Sequence, residues 1–195
     1  MKKLVIILDP AHGEEVAGKR SPDGLFREYK WSREVLKELK YKLKQKGYEV
    51  FETNASDREI GLTKRADNAN KIQRKNKLVI SLHSNAASNG QWSNARGYSI
   101  YTTKGQTKSD EYAQIFLEEL KRAFSEIKGR FDLSDGDLDM EENFTILQKT
   151  TCPAILIEWL FQDNKEDVKL LMDPATNSKL VDTLIIAIDK IDNNL

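Results

Sequence analysis

Residues 4–8 read Leu-Val-Ile-Ile-Leu, and the run stops at once against Asp9-Pro10-Ala11-His12-Gly13. An unbroken apolar run has no polar face to turn towards water. It suits a strand covered on both sides, and so a parallel sheet held between helix layers. The Met1-Lys2-Lys3 start gives the stretch the look of an export signal. The run is shorter than the roughly 7–15 apolar residues such a signal needs, and no Ala-x-Ala-like cleavage site follows. It is read as the first strand of the fold.

The rest of the chain alternates short β-branched runs with longer helical stripes. Trp31, Val35, Leu39 and Leu43 recur every fourth position, with Leu36 widening the stripe, which predicts a helix from Glu28 to Lys46 closed by Gly47. Strands are expected over 48–53, 78–82, 98–102, 144–147 and 154–157. Further helices are expected around Leu62, Ala66, Ala69 and Ile72, around Tyr112, Phe116 and Leu120, over 166–172, and around Leu180, Leu184 and Ile188. The order is β-α-β-α-β-β-α-β-β-α-α. Strands separated by helices imply right-handed parallel crossovers, and the two β-β steps imply a mixed sheet. The expected fold is a single three-layer α/β/α domain over residues 1–195, with a mostly parallel mixed sheet of about six strands.

Composition narrows the function. Lys+Arg and Asp+Glu number 31 each, so there is no basic footprint for nucleic acid. No apolar run approaches the ~20 residues of a membrane span. Cys152 is the single cysteine, which rules out an intrachain disulfide and a cysteine-based zinc finger. Its place ahead of Pro153, away from either histidine, argues for a core or linker residue rather than a nucleophile.

Ligands of open α/β sheets bind beyond the carboxyl ends of the strands. Asp9 and His12 follow the first strand, His83 ends the strand 78–82, and Glu158 ends the strand 154–157. The chain has only two histidines, and both fall at matching strand ends. Glu28 opens the next helix and can lean over the same edge. His12, Glu28 and His83 would give a catalytic Zn2+ its three protein ligands with a position left for water. Glu158 would be the general base, since a carboxylate straight after Ala-Ile-Leu-Ile is costly to bury without a task or a partner. Each residue alone has an ordinary structural explanation, and no short metal motif joins them.

The residues as a set resemble the zinc-dependent N-acetylmuramoyl-L-alanine amidases, the Amidase_3 family. Val5 to Gly13 is similar to a strand followed by D-x-G-H-G, with Ala11 where glycine is common. Gly24-Leu25-Phe26-Arg27-Glu28 resembles the motif whose glutamate ligates zinc. Leu62 to Asn70 resembles L-x-x-R-x-x-x-A-N, and Ser81-Leu82-His83-Ser84-Asn85-Ala86 resembles S-x-H-x-N-A. Pro153 to Glu158, with Phe161 and Asn164, resembles P-A-[VI]-L-[VI]-E-x-x-F-x-x-N, whose glutamate is catalytic. The motifs run in order over about residues 3–190. Trp159-Leu160 stands where small residues are common, and is expected to reshape one wall of the site.

The resemblance implies hydrolysis of the amide between N-acetylmuramic acid and L-alanine in peptidoglycan, with Zn2+ as cofactor and peptidoglycan as partner. Competing readings are another zinc peptidase or deacylase acting on an amide, and a catalytically silent wall-binding module. Asn85, Trp92 and Arg96, in the polar stretch after His83, are expected to line the substrate cleft, with a solvated crossover as the alternative. Arg65 is expected to hold a carboxylate next to the metal shell or to form a structural ion pair. The acidic run 132–142 places Gly136 wrongly for an EF-hand and is read as a solvated loop near the cleft rim. A monomer acting on the cell wall is expected. The chain shows no signal peptide, as for a phage-type lysin or a wall enzyme with its leader trimmed away.

Overall fold

The computed structural model describes residues 2–134 and 136–195. The first apolar run forms β1 (Val5–Pro10), buried along its whole length. It is followed by α1 (Glu28–Gln45), β2 (Glu49–Glu52), α2 (Leu62–Asn70), β3 (Lys77–Asn85) and β4 (Tyr98–Thr102). Then come α3 (Lys108–Ala123), β5 (Met140–Glu141), α4 (Thr145–Lys149), β6 (Ala154–Phe161), α5 (Lys165–Leu171) and α6 (Pro174–Asn193). The six strands form one sheet in the order β2-β1-β3-β6-β4-β5. Every pairing is parallel except β4 with β6. The three-layer mixed α/β architecture is the one expected.

One expected strand is a helix. Residues 144–147 carry β-branched and aromatic side chains, but a short apolar run of this kind suits either state. Here Phe144 precedes α4, and Ile146 and Leu147 bury themselves beside Ala66 and Ala69 of α2. The fifth strand is the two-residue β5 just before it.

The two faces of the sheet are unequally covered. The even-numbered positions of β1 and β3, namely Ile6, Leu8, Leu78, Ile80 and Leu82, join Ile155 and Ile157 of β6 in the core shared with α1, α3 and α6. The opposite face carries Ile7, Val79 and Leu156, and among the described residues it is packed by the short helices α2 and α4. On that thinner side a cleft opens near the carboxyl ends of the strands, over the partly exposed His83 and Glu158. Strand alternation places Asp9, Ser81, His83 and Glu158 on this same face. The register supports this: Asp9 pairs with Ser81, and His83 pairs with Glu158.

β6 continues beyond the expected end, and β3 continues past His83, so both site residues lie within strands rather than at their tips. A bulge follows Glu158. His83 and Asn85 of β3 oppose Glu158 and Phe161 of β6, and Leu160 takes a left-handed φ of 60°. The extra residue sends both Trp159 and Leu160 into the large core. Trp159 stacks on Tyr98 at 5.5 Å and meets Phe124 at 4.7 Å between ring centroids. The expectation that this pair walls the site is therefore corrected: Trp159 faces the opposite side of the sheet from Glu158.

Candidate metal centre

His12 sits on a turn that few residues tolerate. Its φ is 41°, in the left-handed region that costs a side chain energy unless the surroundings enforce it. Here they do. Arg33 donates to the carbonyls of Ala11 and His12, each at 2.8 Å. Arg65 donates to the His12 carbonyl at 2.9 Å and also to the Pro10 carbonyl. The Ala11 amide donates to the Ser32 hydroxyl, which in turn donates to the Leu82 carbonyl on β3. Gly13 completes the turn, and a Cβ there would lie 2.0 Å from the Glu59 backbone nitrogen.

Glu28 stands at the first position of α1 and is 1% exposed. Its Oε1 is 3.0 Å from His83 Nδ1 and 3.5 Å from His12 Nε2, and it accepts the Ser84 amide at 3.2 Å. The two imidazoles meet edge to face with centroids 4.9 Å apart. One ligand atom from each of His12, Glu28 and His83 lies within 4.8 Å of the others. The structure thus brings together the three residues expected to hold a metal.

The electrostatics of the trio are those of a carboxylate held between two rings. Burial opposes the charge on Glu28, but its hydrogen bonds to His12 and His83 win and bring it down to about 2. Burial lowers the proton affinity of His12. Burial also opposes a charge on His83, but the Glu28 hydrogen bond and the neighbouring acids raise it overall. Glu28 Oε2 is buried with no hydrogen-bond partner. An acceptor left unmatched in a dry site is costly, and a cation shared with the two imidazoles would satisfy it. Two ring nitrogens and a carboxylate oxygen are a donor set that suits zinc.

Glu158 lies beside His83 in the sheet, and its Oε2 is also buried without a partner. Burial pushes its carboxyl up to about 7, with the Glu28 charge adding to the rise while His83 and Lys19 offset it in part. A cleft of about 250 Å³ opens over these groups. It is lined by Asp9, His12, Lys19, Arg65, His83 and Glu158 on its polar side, and by Leu62, Phe144, Ile146 and Leu156 on its apolar side.

The remaining expected residues fall in different places. Arg65 does not reach Glu28. Its guanidinium is buried, paired with Asp9 at 3.0 Å and Glu59 at 3.0 Å, and it acts on the site through the loop carrying His12. Asp9 is completed by hydroxyl donors from Thr53 and Ser81. Asn85 stays on β3, two residues past His83, where its side chain accepts the Ala86 amide.

Arg96 and Trp92 are not among the residues that line this cleft. The loop that follows β3 is pulled towards α5, because Asp163 accepts the Ala87 and Ser88 amides and Asn164 donates to the Ser93 carbonyl. Arg96 is turned to Asp167 at 2.8 Å, and Trp92 packs on the large core beneath the Lys165 ammonium. Sequence reasoning missed Lys19 and the α4 wall. Lys19 lies in an irregular loop with no periodicity to read, and α4 occupies a stretch whose pattern suggests a strand.

The acidic run also differs from expectation, apart from Asp135, which lies outside the described residues. Asp139 is 1% exposed, and with Asp137 it turns in towards Asp110 at the start of α3. The Thr102 hydroxyl lies 2.6 Å from Asp139 and 2.9 Å from Asp110. Burial, reinforced by Asp137 and Asp110, pushes the Asp139 carboxyl up to about 7. Asp110 also closes a capping box with Thr107, which anchors the helix start.

Comparison with known proteins identifies a family for the chain. The family model described as N-acetylmuramoyl-L-alanine amidase, Amidase_3, matches residues 6–190. The chain is 29% identical to the N-acetylmuramoyl-L-alanine amidase AmiC of Neisseria meningitidis, covering 87% of this chain and 48% of that one. It is 27% identical to the probable cell wall amidase LytH of Staphylococcus epidermidis, covering 89% and 53% respectively. It spans about half the length of these curated relatives. Among solved structures, an N-acetylmuramoyl-L-alanine amidase of Clostridium difficile superposes with a TM-score of 0.84 at 25% identity, over 97% of each chain. The Ami1 amidase of Mycobacterium smegmatis superposes at 0.83 with 17% identity, over 100% of this chain and 99% of that one, a likeness of fold.

Proposed function

The chain belongs to the N-acetylmuramoyl-L-alanine amidase family, Amidase_3, and from that premise we propose that residues 1–195 act as a zinc-dependent catalytic domain. The bond cut is the amide between N-acetylmuramic acid and L-alanine in peptidoglycan. The observation that carries this reading is the convergence of His12, Glu28 and His83, with Glu158 in register beside His83.

His12, Glu28 and His83 would hold the zinc. When bound, zinc supplies Lewis acidity, polarising the amide carbonyl and making water easier to deprotonate near neutral pH. Glu158 takes the proton from the attacking water and hands it to the alanine nitrogen as the carbon–nitrogen bond breaks. The buried setting of Glu158 suits that exchange, because no fixed donor competes for its free oxygen. Arg65 and Arg33 hold the His12 turn in place throughout. Leu62, Phe144, Ile146 and Leu156 give the same cleft apolar surface for the non-reacting parts of the substrate.

The place of action is the cell wall, and the protein works as a monomer. No helix among the described residues is long and apolar enough to cross a membrane. The test is digestion of purified sacculi with and without chelator. The proposal expects new alanine amino ends, muramic acid left without its peptide, and loss of both products on chelation. Release of amino ends at any other residue, or cleavage that ignores the chelator, would overturn it.

A further inference from the structure

Lys19 is the cation of the cleft that its own fold leaves free. Arg65, the other basic side chain in the lining, is fully engaged by Asp9, Glu59 and backbone carbonyls. Among the described residues, no carboxylate forms an ion pair with the Lys19 ammonium. The residue is nonetheless held in a defined place. Its carbonyl accepts the backbone amide of Glu28 at 3.1 Å, and Arg20 and Arg27 pair beside it as an antiparallel bridge. The hairpin that presents Lys19 to the cleft is therefore the one that delivers Glu28 to the two histidines. Ser21 tightens its turn by accepting the Phe26 amide at 3.0 Å. The Lys19 charge is near enough for both His12 and Glu158 to feel its field.

A half-buried lysine with no internal ion-pair partner, in the lining of a site that cuts amides, is arranged to meet an anion brought by the substrate. We propose that Lys19 is a specificity-determining residue that binds a carboxylate of the peptide stem close to the bond being cut. This rests on the amidase reading above. Lys19 shares the cleft lining with His12, His83 and Glu158, so an anion it holds lies close to the reacting bond, while Leu62 and Phe144 of the same lining offer nothing to a charge. Lysine suits the task as a flexible point charge with three donors.

The test uses two synthetic muramyl peptides that differ at the residue after alanine, one with a free carboxylate there and one with the carboxamide. KM and kcat are measured for the wild type, Lys19→Gln and Lys19→Arg. Binding of the two corresponding free stem peptides is measured by calorimetry on the same three proteins. The wild type should favour the carboxylate forms, by about tenfold in KM and Kd for a charge-assisted contact. Lys19→Gln should erase that preference with its thermal stability kept, and Lys19→Arg should retain it. An equal loss on both ligands, or a fall in kcat with the preference intact, would overturn the assignment. If the metal-loaded wild type cleaves neither substrate, the amidase reading fails, and the calorimetric contrast still decides whether Lys19 selects the carboxylate.

Discussion

The Arg65 guanidinium donates to the His12 carbonyl at 2.9 Å while pairing with Asp9 at 3.0 Å, so one side chain of α2 fixes both the end of β1 and the turn beyond it. The His12 ring is thus positioned through its backbone. Arg65→Lys should keep a charge near Asp9 but lose the planar fork that serves several acceptors at once. We expect it to weaken metal affinity by about 10–100-fold, as for other residues that orient a ligand. Metal titration, checked against thermal melting, measures this.

Gly13 approaches the Glu59 backbone with no room for a side chain. Gly13→Ala should therefore push the His12 turn and the 54–59 segment apart, at a cost of about 1–3 kcal/mol typical of overpacking. A fall in denaturant midpoint with an unchanged slope would show it. A variant as stable as the wild type would mean the close approach is not enforced in solution.

Glu158→Gln keeps the shape of the side chain and removes its ability to carry the proton. Turnover on muramyl peptides should drop by about 10²–10⁴-fold, while metal content and melting temperature stay near wild type. A variant retaining most of its rate would remove Glu158 from the proposed chemistry.

Asp139 supplies a pH prediction. Its folded carboxyl is raised to about 7 from an ordinary value of 3.8, so the folded state holds a proton that the unfolded chain releases. Stability tied to this group is full below about pH 4 and is lost as pH rises towards about 7. Asp139→Asn removes the titrating proton. The variant should lose less stability than the wild type between about pH 4 and 7 in denaturant melts. Parallel curves for the two proteins would contradict the buried, proton-bearing role.

Much of this architecture is legible in the residues because burial and period leave a plain trace. The apolar run that opens β1 and the stripe of α1 are plain, and the strands that carry His83 and Glu158 follow from short apolar runs between polar turns. Short or irregular stretches leave less. Ile146 and Leu147 are apolar in a run too brief to separate helix from strand, and only their packing on Ala66 and Ala69 decides it. Trp159 escapes a reading that ends the strand at Ile157, since alternation turns it away from Glu158 only because β6 runs on, and Leu160 follows it into the core through a bulge that leaves no sequence pattern. Arg96 escapes it because the pull of Asp163 and Asp167 on its loop is tertiary and leaves no local pattern. Asp139 reads as one more exposed acid until the fold sets it against Thr102.

Everything proposed for the chemistry depends on His12, Glu28 and His83 sharing one metal ion. The decisive measurement is zinc content after dialysis, on the wild type and on His12→Ala, Glu28→Ala and His83→Ala. We expect about one zinc per chain in the wild type and a marked loss in each variant, with the folded circular dichroism spectrum kept. A wild type that takes up no zinc, or three variants that bind it as tightly as the wild type, would rule the shared ion out.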